Sequence, residues 1–374
     1  MLRSSFRARA SQLSSSSLQP SSNSTPFNRL ISSSGKTSIS STIPISPFDQ
    51  STTIPDLPSG RSLAYATYGS SSGLPLLFFH GYPSSRLEAL PLSDLASRLG
   101  IRLVCIDRPG FGLSSPQPGR TILDWPDDVL DVTTHLKLSR FAVLGGSGGG
   151  PYALAMAHAF GKERVAACGL LASAPPWQAG TKDVARYRRI YSWLAYNTPT
   201  LLRLILDGTV RLTRWAVGTR YVQNWLDNLL ETLRRKAKEQ GNDSNLGEED
   251  LNVAERRERM LAVIFEGFRQ GSGAAVEEAR LLSAKTWGFD FEDVKYDKVQ
   301  IWHGEADTAA SIKMIRWMAE RIPNAELTVF EEGHFDLAGK LEGVIEELME
   351  EARKNGLEGS GGSGSEGKQS VMAS

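Results

Sequence analysis

The chain is poor in cysteine and has no excess of either charge. Its only two cysteines among 374 residues are Cys105 and Cys168, each inside an apolar run typical of a buried strand. Such isolated thiols argue against a disulfide framework or a zinc site, so we expect inert thiols in a reducing compartment. The 42 basic and 42 acidic side chains balance, which argues against a nucleic-acid partner.

Long hydrophobic runs are also missing. No stretch of about 18 uncharged apolar residues occurs, so we predict no membrane-spanning segment. The glycines of residues 145–150 are not followed by the Lys-Ser or Lys-Thr of a Walker-type phosphate loop. The sequence therefore predicts neither a metal nor an organic cofactor, and it leaves the oligomeric state open.

The first 48 residues contain no aspartate or glutamate but are rich in serine. Leu2, Phe6 and Leu13 fall close together on one helical face, as an amphipathic presequence would place them. The segment is typical of a mitochondrial transit peptide, and a disordered serine-rich tail is the alternative. Its basic residues are Arg3, Arg7, Arg9, Arg29 and Lys36.

Strand and helix signals alternate along most of the remaining chain. The strand-length runs are apolar on both faces, which predicts a mostly parallel sheet covered by helices on both sides. Between residues 178 and 297 no strand signal occurs and the composition is helical. We therefore predict a core in two parts, 49–177 and 298–355, an all-helical insertion at 178–297, and a flexible Gly/Ser tail at 356–374.

The apolar run at 141–146 leads into a serine surrounded by glycines. Gly145 and Gly149 let a strand and a helix approach closely, which a strained turn with an exposed serine requires. Ser147 is the predicted nucleophile. The string also fits a dinucleotide-binding turn through Gly148, Gly150 and Ala153, but no acidic residue lies about 20 residues further on.

A serine hydroxyl needs a base to accept its proton and an acid to orient that base. Among the five histidines, His334 follows a predicted strand in a flexible turn at the carboxyl edge of the sheet, where functional loops converge. Asp307 lies in a loop after another strand at the same edge. Glu305 is its nearest competitor and is closer to the strand.

The order Ser147, Asp307, His334 agrees with one specific fold, and the chain from about residue 51 to 354 resembles the α/β-hydrolase superfamily. That resemblance implies an eight-stranded, mostly parallel sheet with a helical lid between the sixth and seventh strands. The motifs that carry it are His80-Gly81-Tyr82-Pro83, Asp107-Arg108-Pro109-Gly110-Phe111-Gly112, and the glycines around Ser147.

The resemblance also implies residue roles. The backbone amides of Tyr82 and Gly148 would form an oxyanion hole, and a cis peptide often precedes the proline of this loop, here Pro83. Gly110 and Gly112 would shape the neighbouring pocket wall. His80, Gly81, Pro83, Gly145 and Gly149 would be structural parts of the loop and the serine turn.

A serine nucleophile excludes the epoxide hydrolases and haloalkane dehalogenases with similar loops, since those enzymes use an aspartate. Prolyl aminopeptidases usually have a tryptophan after the serine, and Gly148 departs from that pattern. We therefore expect a serine hydrolase that cleaves a carboxylic ester, or a related acyl bond, of a small lipophilic molecule through an acyl-enzyme. An acyltransferase with the same triad and a non-catalytic small-molecule-binding protein are the alternatives.

The predicted lid is rich in aromatic residues. These side chains could contact a lipophilic substrate, but packing of the lid helices against each other or the core is the favoured interpretation. The residues concerned are Tyr187, Tyr191, Trp193, Tyr196, Trp215, Tyr221 and Trp225.

Overall fold

A computed structural model describes residues 51–239, except 56 and 58, and residues 251–359. The predicted presequence at 1–48 lies outside these ranges. The eight strands are β1 (Ser51–Ile54), β2 (Leu63–Gly69), β3 (Leu74–Phe79), β4 (Ile101–Ile106), β5 (Phe141–Gly146), β6 (Val165–Leu171), β7 (Val299–Gly304) and β8 (Ala325–Phe330).

The α-helices of the core surround this sheet, and five further helices lie between β6 and β7. The core helices are α1 (Ser93–Arg98), α2 (Trp125–His135), α3 (Gly150–Ala159), α9 (Ile312–Ala319) and α10 (Leu341–Lys354). The helices between β6 and β7, called the helical insertion below, are α4 (Arg186–Asn197), α5 (Pro199–Val217), α6 (Arg220–Glu239), α7 (Val253–Glu266) and α8 (Gly273–Leu282).

The eight strands form one sheet in the order β1-β2-β4-β3-β5-β6-β7-β8. Only β1 with β2 and β2 with β4 pair antiparallel, and the other neighbours are parallel. The predicted fold class, a mostly parallel eight-stranded sheet flanked by helices, is confirmed. Because β5, β7 and β8 run in the same direction, the loops after them meet at one edge of the sheet.

Apolar residues fill both faces of the sheet. On one face α2 and α3 pack over residues such as Leu77 and Val143, and on the other α1 and α10 pack over residues such as Leu76 and Leu144. Cys105 and Cys168 are buried free thiols on β4 and β6, as predicted. Burial raises the pKa of both thiols above the usual range, which favours their inert protonated form.

Two segment boundaries differ from the predicted ones. Trp287, Phe291 and Tyr296 belong to the same buried cluster as the side chains of α3. The last part of the predicted insertion at 178–297 therefore packs as core. Leu357 is also buried, so the packed core continues past residue 355 into the predicted tail. In both places the local composition does not indicate that these apolar residues pack against the sheet.

The favoured interpretation of the insertion aromatics is wrong for most of them. Tyr187, Trp193, Trp215, Tyr221 and Trp225 are between 57% and 83% exposed. The partly buried Tyr191 is the one among the seven that contacts the loop after β3, and Tyr196, 45% exposed, donates to the carbonyl of Arg280. None of the helices in the described residues is long and apolar enough to cross a membrane.

Candidate active site

Ser147 occupies a sharp turn between β5 and α3. Its backbone φ is +49°, a left-handed conformation that non-glycine residues seldom adopt. A Cβ at Gly145 would lie 2.4 Å from the carbonyl oxygen of Gly149, and a Cβ at Gly149 would lie 2.0 Å from that of Phe79. Any side chain at either glycine would force the strand and helix apart, so the glycines permit the turn that exposes the serine.

A hydrogen-bond chain joins the three predicted catalytic residues. Oγ of Ser147 lies 3.1 Å from Nε2 of His334, and Nδ1 of His334 lies 2.6 Å from Oδ2 of Asp307. Because the carboxylate accepts the Nδ1 proton, Nε2 of a neutral imidazole is free to accept the serine proton. The structure thus brings Ser147, His334 and Asp307 together from loops after three different strands.

The Asp307 carboxylate is held by backbone amides that follow it in the same loop. Its Oδ1 accepts hydrogen bonds from the amides of Ala309 and Ala310, both at 2.7 Å. Burial alone would raise the pKa of Asp307, but the bonds from His334 and the Ala310 amide outweigh burial and place this pKa below its ordinary value. The group is therefore ionised at neutral pH, as an imidazole-orienting acid must be. Glu305, the predicted competitor, instead pairs with Arg316 on the surface.

His303 lies beneath this carboxylate. Its Nε2 donates to the carbonyl of Ala310 at 2.8 Å and lies 3.4 Å from Oδ2 of Asp307. Burial lowers the pKa of His303, so the ring is neutral. Of the remaining histidines, His135 is on the exposed part of α2 and His158 stacks on Phe289, so neither reaches the serine.

The loop after β3 lies against the serine turn. A Cβ added to Gly148 would lie 2.6 Å from Cβ of Tyr82 and 3.1 Å from its amide nitrogen. Gly148 is in the first turn of the helical segment that begins at Ser147, where backbone amides lack helical partners. The peptide bond between Tyr82 and Pro83 is cis. The structure therefore brings the two predicted oxyanion donors into the same small space.

His80 supports this loop from within. Its Nε2 accepts from the amide of Arg108 at 3.2 Å and its Nδ1 donates to the carbonyl of Gly81 at 2.9 Å. Burial and the charge of Arg108 place the pKa of His80 well below its ordinary value. His80 is thus a neutral structural residue.

A buried ion-pair network fixes the helical insertion to the same loop. The Arg108 guanidinium donates to the carbonyls of His80 and Gly81, and its Nε lies 2.9 Å from Oε1 of Glu278 on α8. Glu278 also pairs with Arg120 and accepts from the hydroxyl of Tyr152. Although burial would raise the pKa of Glu278, the two arginines hold it below its ordinary value. The carboxylate therefore stays charged between two cations.

The motif around Gly112 has a related structural basis. A Cβ at Gly112 would lie 2.0 Å from Oδ2 of Asp107, whose carboxylate accepts from the backbone amide of Arg86 and from that of Leu113. At Gly110 a Cβ would lie 2.9 Å from that of Ala274 on α8. Gly110 therefore borders the insertion, and Gly112 allows the close approach of the Asp107 carboxylate.

A second carboxylate at the site was not predicted. Glu88 accepts from the Gly81 amide through both oxygens, at 3.1 and 2.9 Å. A Cβ placed on Gly81 would lie 3.4 Å from each of these oxygens and 3.5 Å from Cβ of Ser147. Burial raises the pKa of Glu88 above its ordinary value, against opposing hydrogen bonds from Ser84 and Gly81. The only sequence signal is a single acidic residue between Gly81 and Ser93.

The insertion also places a cation beside the site. Arg188 on α4 is half-buried, and its charge interacts with Asp307 and Tyr82. Burial lowers the pKa of this guanidinium. Arg188 is one of three arginines within four residues, so the sequence does not indicate which of Arg186, Arg188 and Arg189 faces the site.

Comparison with known proteins identifies the fold. Residues 75–340 match the sequence family described as the alpha/beta hydrolase fold. A hydrolase from Pseudomonas aeruginosa PA01 is 16% identical, with a TM-score of 0.54, over 80% of this chain and 98% of that chain. A carboxylesterase structure from Nitrososphaera gargenis is 16% identical, with a TM-score of 0.54, over 81% and 100%. An esterase from Rhodococcus sp. ECU1013 is 19% identical, with a TM-score of 0.53, over 82% and 100%. At these identities the structural similarity is one of fold.

Proposed function

The chain belongs to the alpha/beta hydrolase fold family, and within that family we propose that it is a serine hydrolase that cleaves carboxylic esters. The observation that carries this proposal is the hydrogen-bond chain from Oγ of Ser147 through His334 to Asp307, with lengths of 3.1 and 2.6 Å. Three residues far apart in sequence meet in the geometry that activates a hydroxyl nucleophile.

In the proposed reaction His334 accepts the hydroxyl proton as Ser147 attacks the ester carbonyl. Asp307 holds the imidazole and stabilises its charged form. The developing oxyanion accepts hydrogen bonds from the amides of Tyr82 and Gly148. His334 then donates its proton to the leaving alcohol, and water hydrolyses the acyl-enzyme by the same route in reverse.

The helical insertion acts as the lid of this site in our proposal. Tyr82 donates a hydrogen bond from its hydroxyl to the carbonyl of Ala275 on α8, at 2.7 Å, and its hydroxyl lies 2.8 Å from that of Tyr191 on α4. These contacts support a position directly over the oxyanion loop. Arg188 and Glu88 would then present opposite charges to the bound ester, so a substrate screen should include neutral, cationic and anionic esters.

The first test is active-site labelling of the full chain with a fluorophosphonate probe, followed by peptide mass spectrometry. We expect the label on Ser147 and its loss in Ser147→Ala and His334→Ala. Hydrolysis of 4-nitrophenyl esters of increasing chain length would then measure turnover, with loss of covalent catalysis in Ser147→Ala.

A Ser147→Ala variant that keeps a tenth of the wild-type rate would refute the assignment of the nucleophile. Added alcohol acceptors separate hydrolysis from acyl transfer, because a transferase would pass most of the acyl group to the acceptor rather than to water. Label on another serine in folded protein would also contradict the proposal.

A further inference from the structure

The exposed apolar side chains of this protein are concentrated on the helical insertion. Among the described residues, sixteen large hydrophobic side chains are exposed, and fourteen of them lie between Tyr187 and Ile264. Scattered single hydrophobic residues are normal on a protein surface, but a concentration of this kind marks an interaction surface.

On α5 these side chains form one continuous face. Leu201, Leu204, Ile205, Leu212 and Trp215 are each between 50% and 69% exposed. At 100° per residue they fall within an arc of about 100° of the helix. The buried Leu202 lies about 110° from the middle of this arc and packs against α4 and α8.

A matching stripe runs along α6. Tyr221, Trp225, Leu229 and Leu233 follow one another at four-residue steps and are between 39% and 83% exposed. Such spacing places them on one side of the helix. Together, the α5 face and the α6 stripe are called the apolar face below.

The charge around the apolar face differs from that of the whole chain. Residues 181–239 contain twelve lysines and arginines against five aspartates and glutamates, whereas the chain as a whole is neutral. Exposed basic side chains here that form no ion pair with another described residue include Arg186, Arg189, Arg211, Arg220, Arg235 and Lys236.

We propose that the apolar face docks on an anionic lipid bilayer. Helices that combine exposed tryptophan, tyrosine and leucine with unpaired arginine and lysine lie in the interfacial plane of such membranes. The aromatic rings enter the headgroup region, and the cations approach the anionic phosphates. A second copy of the chain is a poorer occupant, because it would place two basic surfaces against each other.

Docking in this way would bring the candidate active site close to the membrane. Leu202 of α5 packs against α4, which carries Tyr191, and the hydroxyl of Tyr191 bonds to that of Tyr82 in the loop after β3. The α5 part of the apolar face is therefore separated from this loop by a single helix. Membrane binding does not depend on the proposed catalysis, so the two can fail separately.

The experiment is sedimentation of the full chain with vesicles of phosphatidylcholine alone or of phosphatidylcholine and phosphatidylserine in equal amounts. We expect binding to the anionic vesicles that is at least about tenfold tighter than to the neutral ones. At about 1 M salt, where charges are screened within about 3 Å, binding should fall by a similar factor.

Two double variants test whether the rings and the charges of the apolar face contribute to vesicle binding. Trp215→Ser with Trp225→Ser removes two rings from the apolar face, and Arg211→Glu with Arg235→Glu reverses two of its charges. Each should weaken anionic-vesicle binding by about tenfold or more while leaving the circular dichroism spectrum and melting temperature unchanged. The matched controls are Val329→Ser on β8 and Lys295→Glu at an exposed position shortly before β7, which should bind as the wild type does.

Equal binding of the wild type and both double variants would overturn the proposal, as would equal binding to neutral and anionic vesicles. A concentration-dependent dimer in analytical ultracentrifugation, absent in the tryptophan variant and accompanied by no vesicle binding, would assign the face to self-association instead. Esterase activity in solution is measured in parallel, so that failure of docking is distinguished from failure of the proposed reaction.

Discussion

The hydroxyl of Tyr82 lies 2.8 Å from the hydroxyl of Tyr191, which joins the loop after β3 to the first helix of the insertion. Tyr82 donates to the carbonyl of Ala275, so it accepts the hydrogen bond from Tyr191. The position of α4 is thereby coupled to the amide that we propose stabilises the oxyanion.

Tyr191→Phe tests this coupling. The substitution removes one hydrogen bond worth about 0.5–1.5 kcal/mol, so we expect kcat/KM for ester hydrolysis to fall about two- to tenfold. Tyr196→Phe is the control, because it removes a similar hydroxyl bond from the same helix, to Arg280, away from the oxyanion loop. If both variants lose activity equally, the effect belongs to the stability of the insertion rather than to Tyr82.

Gly148→Ala should impair activity without preventing folding. The new Cβ would lie 2.6 Å from Cβ of Tyr82, so the loop must move and the two proposed oxyanion donors separate. We expect a loss of about 10² to 10³ in kcat, the effect of losing one donor. Gly343→Ala on α10, where a Cβ meets no atom within 4 Å, should instead stabilise the protein by about 0.5–1 kcal/mol. Full activity of Gly148→Ala would contradict the assigned donor pair.

Asp307→Asn should reduce kcat by about 10⁴-fold. The amide oxygen would take the bonds from Ala309 and Ala310, which turns the NH₂ group toward His334 and forces the imidazole proton onto Nε2. That nitrogen could then no longer accept the proton of Ser147. Glu305→Gln removes a carboxylate from a surface pair with Arg316 and should change kcat by less than about twofold. The reverse ranking in an ester assay would make Glu305 the orienting acid.

The raised pKa of Glu88 predicts how the stability of the folded protein changes with pH. Because burial raises the pKa of Glu88 above its ordinary value of 4.5, the folded state binds this proton more tightly than the unfolded state. The favourable contribution is present below that ordinary value and is lost as pH rises through the higher folded-state pKa. Glu88→Gln remains neutral throughout and can still accept from the Gly81 amide.

We therefore expect the melting temperature of Glu88→Gln to exceed that of the wild type at neutral pH, and the difference to shrink as pH falls toward about 5. Thermal unfolding followed by circular dichroism across this range measures the difference. Glu342→Gln, at an exposed position of α10, controls for the removal of a surface carboxylate. A difference that is constant with pH would mean that Glu88 does not take up a proton in this range.

The fold and the three residues of the proposed triad were predictable because their signals are local. Most strands of the sheet interior are predominantly apolar runs, and Ser147, Asp307 and His334 each lie in a short loop after a strand. Parallel strands bring the loops after their carboxyl ends to one edge, so local patterns suffice to place the residues together.

Glu88, Arg188 and Glu278 were not predictable in this way. Glu278 pairs with Arg108 and Arg120, about 170 and 158 residues earlier in the chain, and no local pattern marks either partner. The exposure of Trp215 and Trp225 was also missed, because an amphipathic helix has the same periodicity whether its apolar side meets a core or another surface.

The Arg108–Glu278 network restricts which helical insertions this hydrolase core could accommodate. A helical segment grafted between β6 and β7 from a relative would have to supply a carboxylate at the position of Glu278. Without it, the guanidinium groups of Arg108 and Arg120 would remain buried with no compensating anion, at a cost of about 3–5 kcal/mol. Core and insertion are therefore mutually dependent, and an insertion that lacked this carboxylate would destabilise the core to which it was joined.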